Sequence, residues 1–123
     1  MVEMLCDPGD DVDAVTAGYK ANYIRLAPIH EAAFAGMKEL IVDLAARGVA
    51  LGVATGKSQY GADNAGRRHN LRHWIPAIHG ILPGTPGKPH PAVLQRALAD
   101  LGVAADEAVF IGDTTYDLSL IHI

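Results

Sequence analysis

Apolar positions recur along this chain with two different periods, and their alternation predicts its architecture. Val12, Val15, Tyr19, Tyr23 and Leu26 fall three or four residues apart, the spacing of one helix face. The preceding Asp7-Pro8-Gly9-Asp10 reads as a turn, with Asp10 and Asp11 as N-cap and first-turn acids. A second helix is expected over 31–47, with Phe34, Met37, Ile41 and Leu44 on one face and Gly48 as its stop. Residues 49–54 are nearly all apolar, as in a strand covered on both faces. A weaker helix is expected over 58–69. Gly61 and Gly66 lie inside it, each costing roughly 1 kcal/mol relative to Ala. A short strand at 78–81 and an amphipathic helix at 91–101, with Pro91 at its start and Gly102 after it, come next. Finally Val109-Phe110-Ile111 runs as an apolar strand into Gly112-Asp113. Strands alternating with helices predict an α/β fold, a partial doubly wound, Rossmann-like parallel sheet.

Open sheets of this kind bind ligands beyond the carboxyl ends of their strands, and three motifs are expected there. Gly112-Asp113-Thr114-Thr115-Tyr116-Asp117 places two carboxylates four residues apart after a strand. Such oxygens suit a hard cation such as Mg²⁺; Asp113 could equally cap the next helix. Thr55-Gly56 offers a hydroxyl and a backbone N–H to a phosphate oxygen. Pro86-Gly87-Lys88-Pro89-His90-Pro91 holds one cation, Lys88, in a stiff turn before a helix. His90 could reach the same pocket or cap that helix. The ordered trio is far more specific than any one member.

From about residue 34 to 118 the chain resembles the haloacid dehalogenase superfamily of phosphohydrolases, most closely its phosphoglycolate phosphatase-like members. Thr55 matches the second family motif, Lys88 the third, and Asp113 with Asp117 the fourth. The resemblance implies a phosphoric monoester hydrolase that works with Mg²⁺ through an aspartyl-phosphate. Thr55 and Gly56 would hold phosphoryl oxygens, Lys88 would neutralise charge between nucleophile and phosphate, and Asp113 with Asp117 would serve the metal. Phosphoryl transfer depends mostly on positioning and charge stabilisation, so a sparse set can suffice.

The family's first motif, an apolar strand ending in Asp-x-Asp-Gly-Thr that supplies nucleophile and general acid, has no counterpart here. Asp11-Val12-Asp13 fits only formally, because it follows a turn and opens a helix. The family comparison divides the chain into a C-terminal remnant of a helical cap (1–27), a partial phosphatase core (28–117) and a suspected non-native tail (118–123). The tail, Leu118-Ser119-Leu120-Ile121-His122-Ile123, is what a transposase end sequence used to tag sequencing libraries encodes in frame. The expectation is a fragment without turnover that also folds poorly, because the strand of the first motif would lie between the Thr strand and the Asp strand and its absence leaves buried backbone donors and acceptors unpaired.

Composition adds limits rather than chemistry. A net charge of −4 gives no electrostatic footprint for nucleic acid or for an anionic membrane. Arg67, Arg68 and Arg72 form the one local basic cluster, read as a solvated face. A single cysteine, Cys6, excludes an internal disulfide and suits a reducing compartment. No signal-like N-terminus and no apolar run of spanning length are present, so a cytoplasmic protein acting on a small phosphorylated substrate is expected, with no nucleic-acid or membrane partner and its oligomeric state open. Among the six histidines only His69 and His73 share metal-ligand spacing, and no third ligand is in register. One rival reading takes Gly52 to Ser58 as a nucleotide-binding P-loop, but only three residues separate Gly52 from Gly56, one too few. The other rival is a catalytically dead phosphate-binding or regulatory protein.

Overall fold

A computed structural model describes residues 6–118. In order it contains helix α1 (Val12–His30), helix α2 (Met37–Ala46), strand β1 (Gly52–Ser58), helix α3 (Gln59–Arg68), strand β2 (Ala77–Ile81), helix α4 (Ala92–Leu101), a single 3-10 turn (Ala105–Glu107) and a short helix α5 (Thr115–Leu118). From Ser119 on, the suspected tail lies outside the described residues, as do residues 1–5. The chain forms two compact units, Met1–Phe34 and Ala35–Ile123.

The first unit is built on α1. Asp7 and Asp10 close the predicted turn, the Asp10 N–H donating to the Asp7 carbonyl at 3.1 Å. Asp11 is the N-cap, its Oδ1 accepting from the Ala14 N–H at 3.1 Å, and Asp13 lies in the first turn. The helix continues through Pro28 to His30, where a missing N–H falls in the last turn. Glu31 closes it and accepts a hydrogen bond from the Tyr23 hydroxyl at 2.5 Å.

The second unit contains the sheet. Its first helix begins at Met37, six residues later than the periodicity of 31–47 suggested, because Gly36 takes the left-handed conformation (φ 79°) and resets the chain. The helix ends in a Schellman motif: Gly48 N–H donates to the Ala45 carbonyl and Val49 N–H to that of Leu44. This use of Val49 delays the strand, so β1 spans Gly52–Ser58 rather than the expected 49–54.

β1 and β2 pair in parallel, with Gly52, Val53 and Ala54 opposite Ala77, Ile78 and His79, and Ser58 opposite Ile81. Three residues, 55–57, therefore face Gly80 alone, and the ladder is irregular there. The crossover helix α3 starts at once, capped by Ser58 Oγ, which accepts from the Gly61 N–H at 3.2 Å. Alternation along β2 sends Ile78 toward α3 and His79 toward Arg96 and Asp100 of α4, so the two helices cover opposite faces. This is the expected parallel α/β arrangement, with Ala62, Ile75 and Ile78 at the centre and Ile41, Leu51, Val53, Leu71 and Trp74 packed around them. Gly66, which weakened α3 on paper, is where that helix meets the sheet: a Cβ there would lie 2.7 Å from Ile78 Cδ1. On the other face Val93 and Ala97 are buried.

One expected strand is not formed. Residues 109–111 have no ladder partner among the described residues, and Val109 and Ile111 are 89% and 87% exposed. A strand exists only through a neighbour's backbone, and the sheet of the described residues has two strands, β1 and β2.

The tightest constraint is at Gly80, where any Cβ would sit 2.7 Å from the carbonyl oxygens of Lys57 and Ser58. These neighbours are backbone and cannot swing aside. Gly80→Ala is expected to destabilise the second unit by about 1–3 kcal/mol, measured by urea denaturation. A loss below about 0.5 kcal/mol, the range of an ordinary surface change, would contradict it.

Candidate active site

The motifs expected at the site come from three segments of the second unit. Thr55 and Gly56 lie in the irregular stretch of β1, inside the strand rather than just past an end at residue 54. Thr55 Oγ1 accepts from the Lys57 N–H at 3.3 Å, a local bond within the strand. The continuous strand from Gly52 to Ser58 also leaves no room for a P-loop wrapped round a diphosphate.

Lys88 follows β2 in the Gly/Pro turn. The turn sits beside the last residue of β2, since a Cβ on Gly87 would lie 3.6 Å from Ile81 Cδ1. The Lys88–Pro89 peptide bond is cis. His90 N–H donates to the Gly87 carbonyl at 3.0 Å, and His90 Nδ1 accepts from the Ala92 N–H at 3.2 Å. His90 therefore caps α4.

Lys88 Nζ donates to Asp117 Oδ1 across 29 residues of sequence, and both side chains are largely shielded, 18% and 7% exposed. The ammonium also lies over the Phe110 ring, 5.3 Å from its centre, a cation–π contact. The second Asp117 oxygen accepts from the Thr114 N–H at 3.1 Å and the Thr114 hydroxyl at 2.6 Å. Asp117 is the third residue of α5 and reaches back to the residue before the helix, one half of a capping box. The cap considered for Asp113 is thus supplied by Thr114 and Asp117. The Lys88 and Thr114 bonds hold the Asp117 carboxyl below the ordinary 3.8, at about 2.

Asp113 is exposed and makes no hydrogen bond or ion pair with the described residues. No group of three or more His, Cys, Asp or Glu side chains that could hold a metal occurs among the described residues. The donor set is therefore a partial one: Asp113 open to solvent, and Asp117 with both oxygens engaged. It fits a hard cation that takes most of its shell from water and substrate oxygens, as Mg²⁺ does, and not a closed protein cage. Lys88 and Asp117 are brought together; no hydrogen bond joins Thr55 or Asp113 to that pair. Thr114 and Phe110 were not anticipated, although Thr114-x-x-Asp117 carries the capping-box spacing.

Two parallel strands with helices on both faces, and a shielded Lys–Asp contact beside the end of β2, define an α/β domain of the open-sheet class. The chain belongs to the haloacid dehalogenase-like hydrolase family, which it matches over residues 10–120. It is similar to the phosphoglycolate phosphatase of Rhodospirillum rubrum, 33% identical over 115 residues that cover 92% of this chain and 48% of that protein. It is also similar to the tyrosine-protein kinase PtkA of Mycobacterium tuberculosis and of Mycobacterium bovis, 27% identical over 110 residues, 89% of this chain and 38% of those proteins. The chain thus spans about half, or less, of the length of the curated relatives it matches. No solved structure matches it.

Gly112 makes room for the buried carboxylate, because a methyl group there would overlap the Asp117 side chain. Gly112→Ala is expected to push Asp117 away from Lys88 and raise its pKa from about 2 toward 3.8, read from the carboxyl carbon by NMR. Since the folded pKa is depressed, the contribution to stability is present above pH 3.8 and lost as pH falls through about 2. In Gly112→Ala the acid limb of the stability curve flattens in that window. An unchanged Asp117 titration would show that the contact is not what holds the carboxyl ionised.

Proposed function

We propose that the protein to which these residues belong is a Mg²⁺-dependent phosphatase acting on a small phosphorylated metabolite of the phosphoglycolate kind. The observation that carries this reading is the Lys88–Asp117 contact. It joins two of the three family motifs and keeps a cation shielded but charge-balanced beside the end of a strand. Membership in a hydrolase family and likeness to a protein named a phosphoglycolate phosphatase support it. The mycobacterial relatives are named kinases, and phosphoryl groups are common to both names.

The residues divide the work as follows. The Thr55 hydroxyl and Gly56 N–H bind phosphoryl oxygens. Lys88 donates to the same oxygens from its rigid turn, while Asp117 orients its ammonium and Thr114 orients Asp117. Asp113 is the open carboxylate that would hold Mg²⁺, and Asp117 would assist it. The cation supplies charge neutralisation: one Lys and two Asp leave the cluster net negative, unfit for a phosphate dianion until a divalent ion reverses the sign. The nucleophilic aspartate of the aspartyl-phosphate route comes from outside these 123 residues. On this reading Asp11 serves as the N-cap of α1 rather than as that group. No helix among the described residues is long and apolar enough to cross a membrane. A cytoplasmic setting and a free small-molecule substrate are part of the proposal.

The test is hydrolysis of phosphoglycolate, sugar phosphates and nucleotides by the complete protein. Lys88→Ala and Asp113→Asn are each expected to lower kcat by about a hundredfold or more, the scale of removing one charge-stabilising donor. EDTA should abolish turnover and Mg²⁺ restore it. Metal-independent turnover, or full activity in Asp113→Asn, overturns the assignment. The 123-residue chain by itself should bind inorganic phosphate without turnover. Turnover lost in Asp11→Asn, which keeps a good N-cap, would instead make Asp11 the nucleophile.

A further inference from the structure

Beside the site lies a polar network that the roles above leave unused. The Gln59 carboxamide donates from Nε2 to the Ile78 carbonyl at 3.0 Å and accepts at Oε1 from the Gly80 N–H at 2.9 Å. It thus pairs with β2 as a strand residue would, two bonds to alternate residues. Arg96, from α4, donates to the Gly80 carbonyl at 3.0 Å, to Gln59 Oε1 at 3.2 Å and to His79 Nδ1 at 3.0 Å. As acceptor at Nδ1, His79 carries its proton on Nε2, which donates to Asp100 Oδ2 at 2.8 Å. Asp63 accepts from Gln59 Nε2 at 3.1 Å and from Arg72.

Every acceptor that Arg96 touches is neutral, so the guanidinium is spent on geometry, as a fork joining three elements, rather than on an ion pair. The elements matter. Gln59 follows directly on the irregular 55–58 segment, whose backbone is pressed over Gly80. Arg96 stands one turn into the helix that the Lys88 turn launches and His90 caps. The Arg96–Gln59 bond spans 37 residues and ties the start of α3, which follows the Thr55 stretch, to α4, which follows the Lys88 turn.

We propose that Arg96, acting through Gln59, is a positioning residue that holds the Thr55–Gly56 donors and Lys88 in fixed relation, so that one phosphoryl group meets both. This rests on the phosphatase reading for the identity of the ligand, not for the tie itself. The experiment is titration of the ¹⁵N-labelled complete protein with inorganic phosphate in Mg²⁺, following the amides of Thr55, Gly56 and Lys88. In the wild type the two turns should respond together with one Kd. In Arg96→Lys, Arg96→Met and Gln59→Leu the responses should separate and weaken by about tenfold, the worth of one charge-assisted hydrogen bond. Lys keeps the charge but not the fork, so a wild-type response in Arg96→Lys overturns the proposal. So does a wild-type response in a folded Gln59→Leu, even where the Arg96 variants unfold. Should the wild type show no phosphate response, the phosphatase reading fails, and amide hydrogen exchange decides the tie. Arg96→Met must then speed exchange at Lys57 and Gly80 as well as at His90 and Ala92. Acceleration confined to the α4 side overturns it.

Discussion

Two parallel strands cannot be joined by a tight turn, and most of this unit follows from that. The chain must leave the end of β1, cross a face of the sheet and return to the start of β2, which is the path of α3. The second face then needs its own cover, which α4 supplies after the Lys88 turn. Because both strands run the same way, the segments that leave them collect at one end of the sheet. That is why the irregular Thr55 stretch, the start of α3 and the Lys88 turn are neighbours although 33 residues separate Thr55 from Lys88. With two strands the sheet has little area, and the side chains fully committed to the core are small: Ala62, Ala77, Val93 and Ala97 beside Ile75 and Ile78. Small side chains let helices approach closely, so the polar groups between them must all be matched.

The Lys88–Asp117 contact answers that demand at the site. A shielded ammonium requires a counter-charge, and a shielded carboxylate requires donors for both oxygens. Lys88 and Thr114 together supply them. What this leaves uncommitted is chemically informative: Asp113 faces solvent with its charge unopposed. An exposed carboxylate without a counter-charge repels a phosphate and attracts a cation, which is the role proposed for it. The short helix α5 exists largely to deliver Asp117, and Gly112 exists to let it in.

The elements with a single strong period were legible in the sequence. Helix α4, between Pro91 and Gly102, matches its expectation to one residue, because its apolar face, its start and its stop agree. β2 and α3 also fall where expected, and the parallel α/β class follows from their order. Boundaries moved where a local backbone event overrode the pattern, at Gly36 before α2 and at Val49 after it. The predicted strand at 109–111 fails for a different reason. Apolar character marks a segment that could be buried, but a strand also needs an edge to pair with, and composition cannot supply one. At the site, Lys88 and Asp117 were readable as motif members, and the structure adds that they touch. Thr114 carried a signal that could have been used. Gln59 and Arg96 carried none.

That last absence has a physical cause. On a helix, Gln and Arg at unremarkable positions read as solvated, since most of them are. Nothing local marks those whose partners lie 17, 21 or 37 residues away. Such residues become visible only once the close crossing at Gly80 is known. A backbone pressed over a glycine leaves the peptide groups around it to be satisfied by side chains from outside the ladder. Gln59 meets two of them, Ile78 O and Gly80 N, and Arg96 meets the third, Gly80 O. The glycine and the two polar side chains are therefore parts of one solution. Replacing Gly80 removes the crossing, replacing Gln59 or Arg96 removes what holds it, and in each case the stretch that presents Thr55 loses its shape.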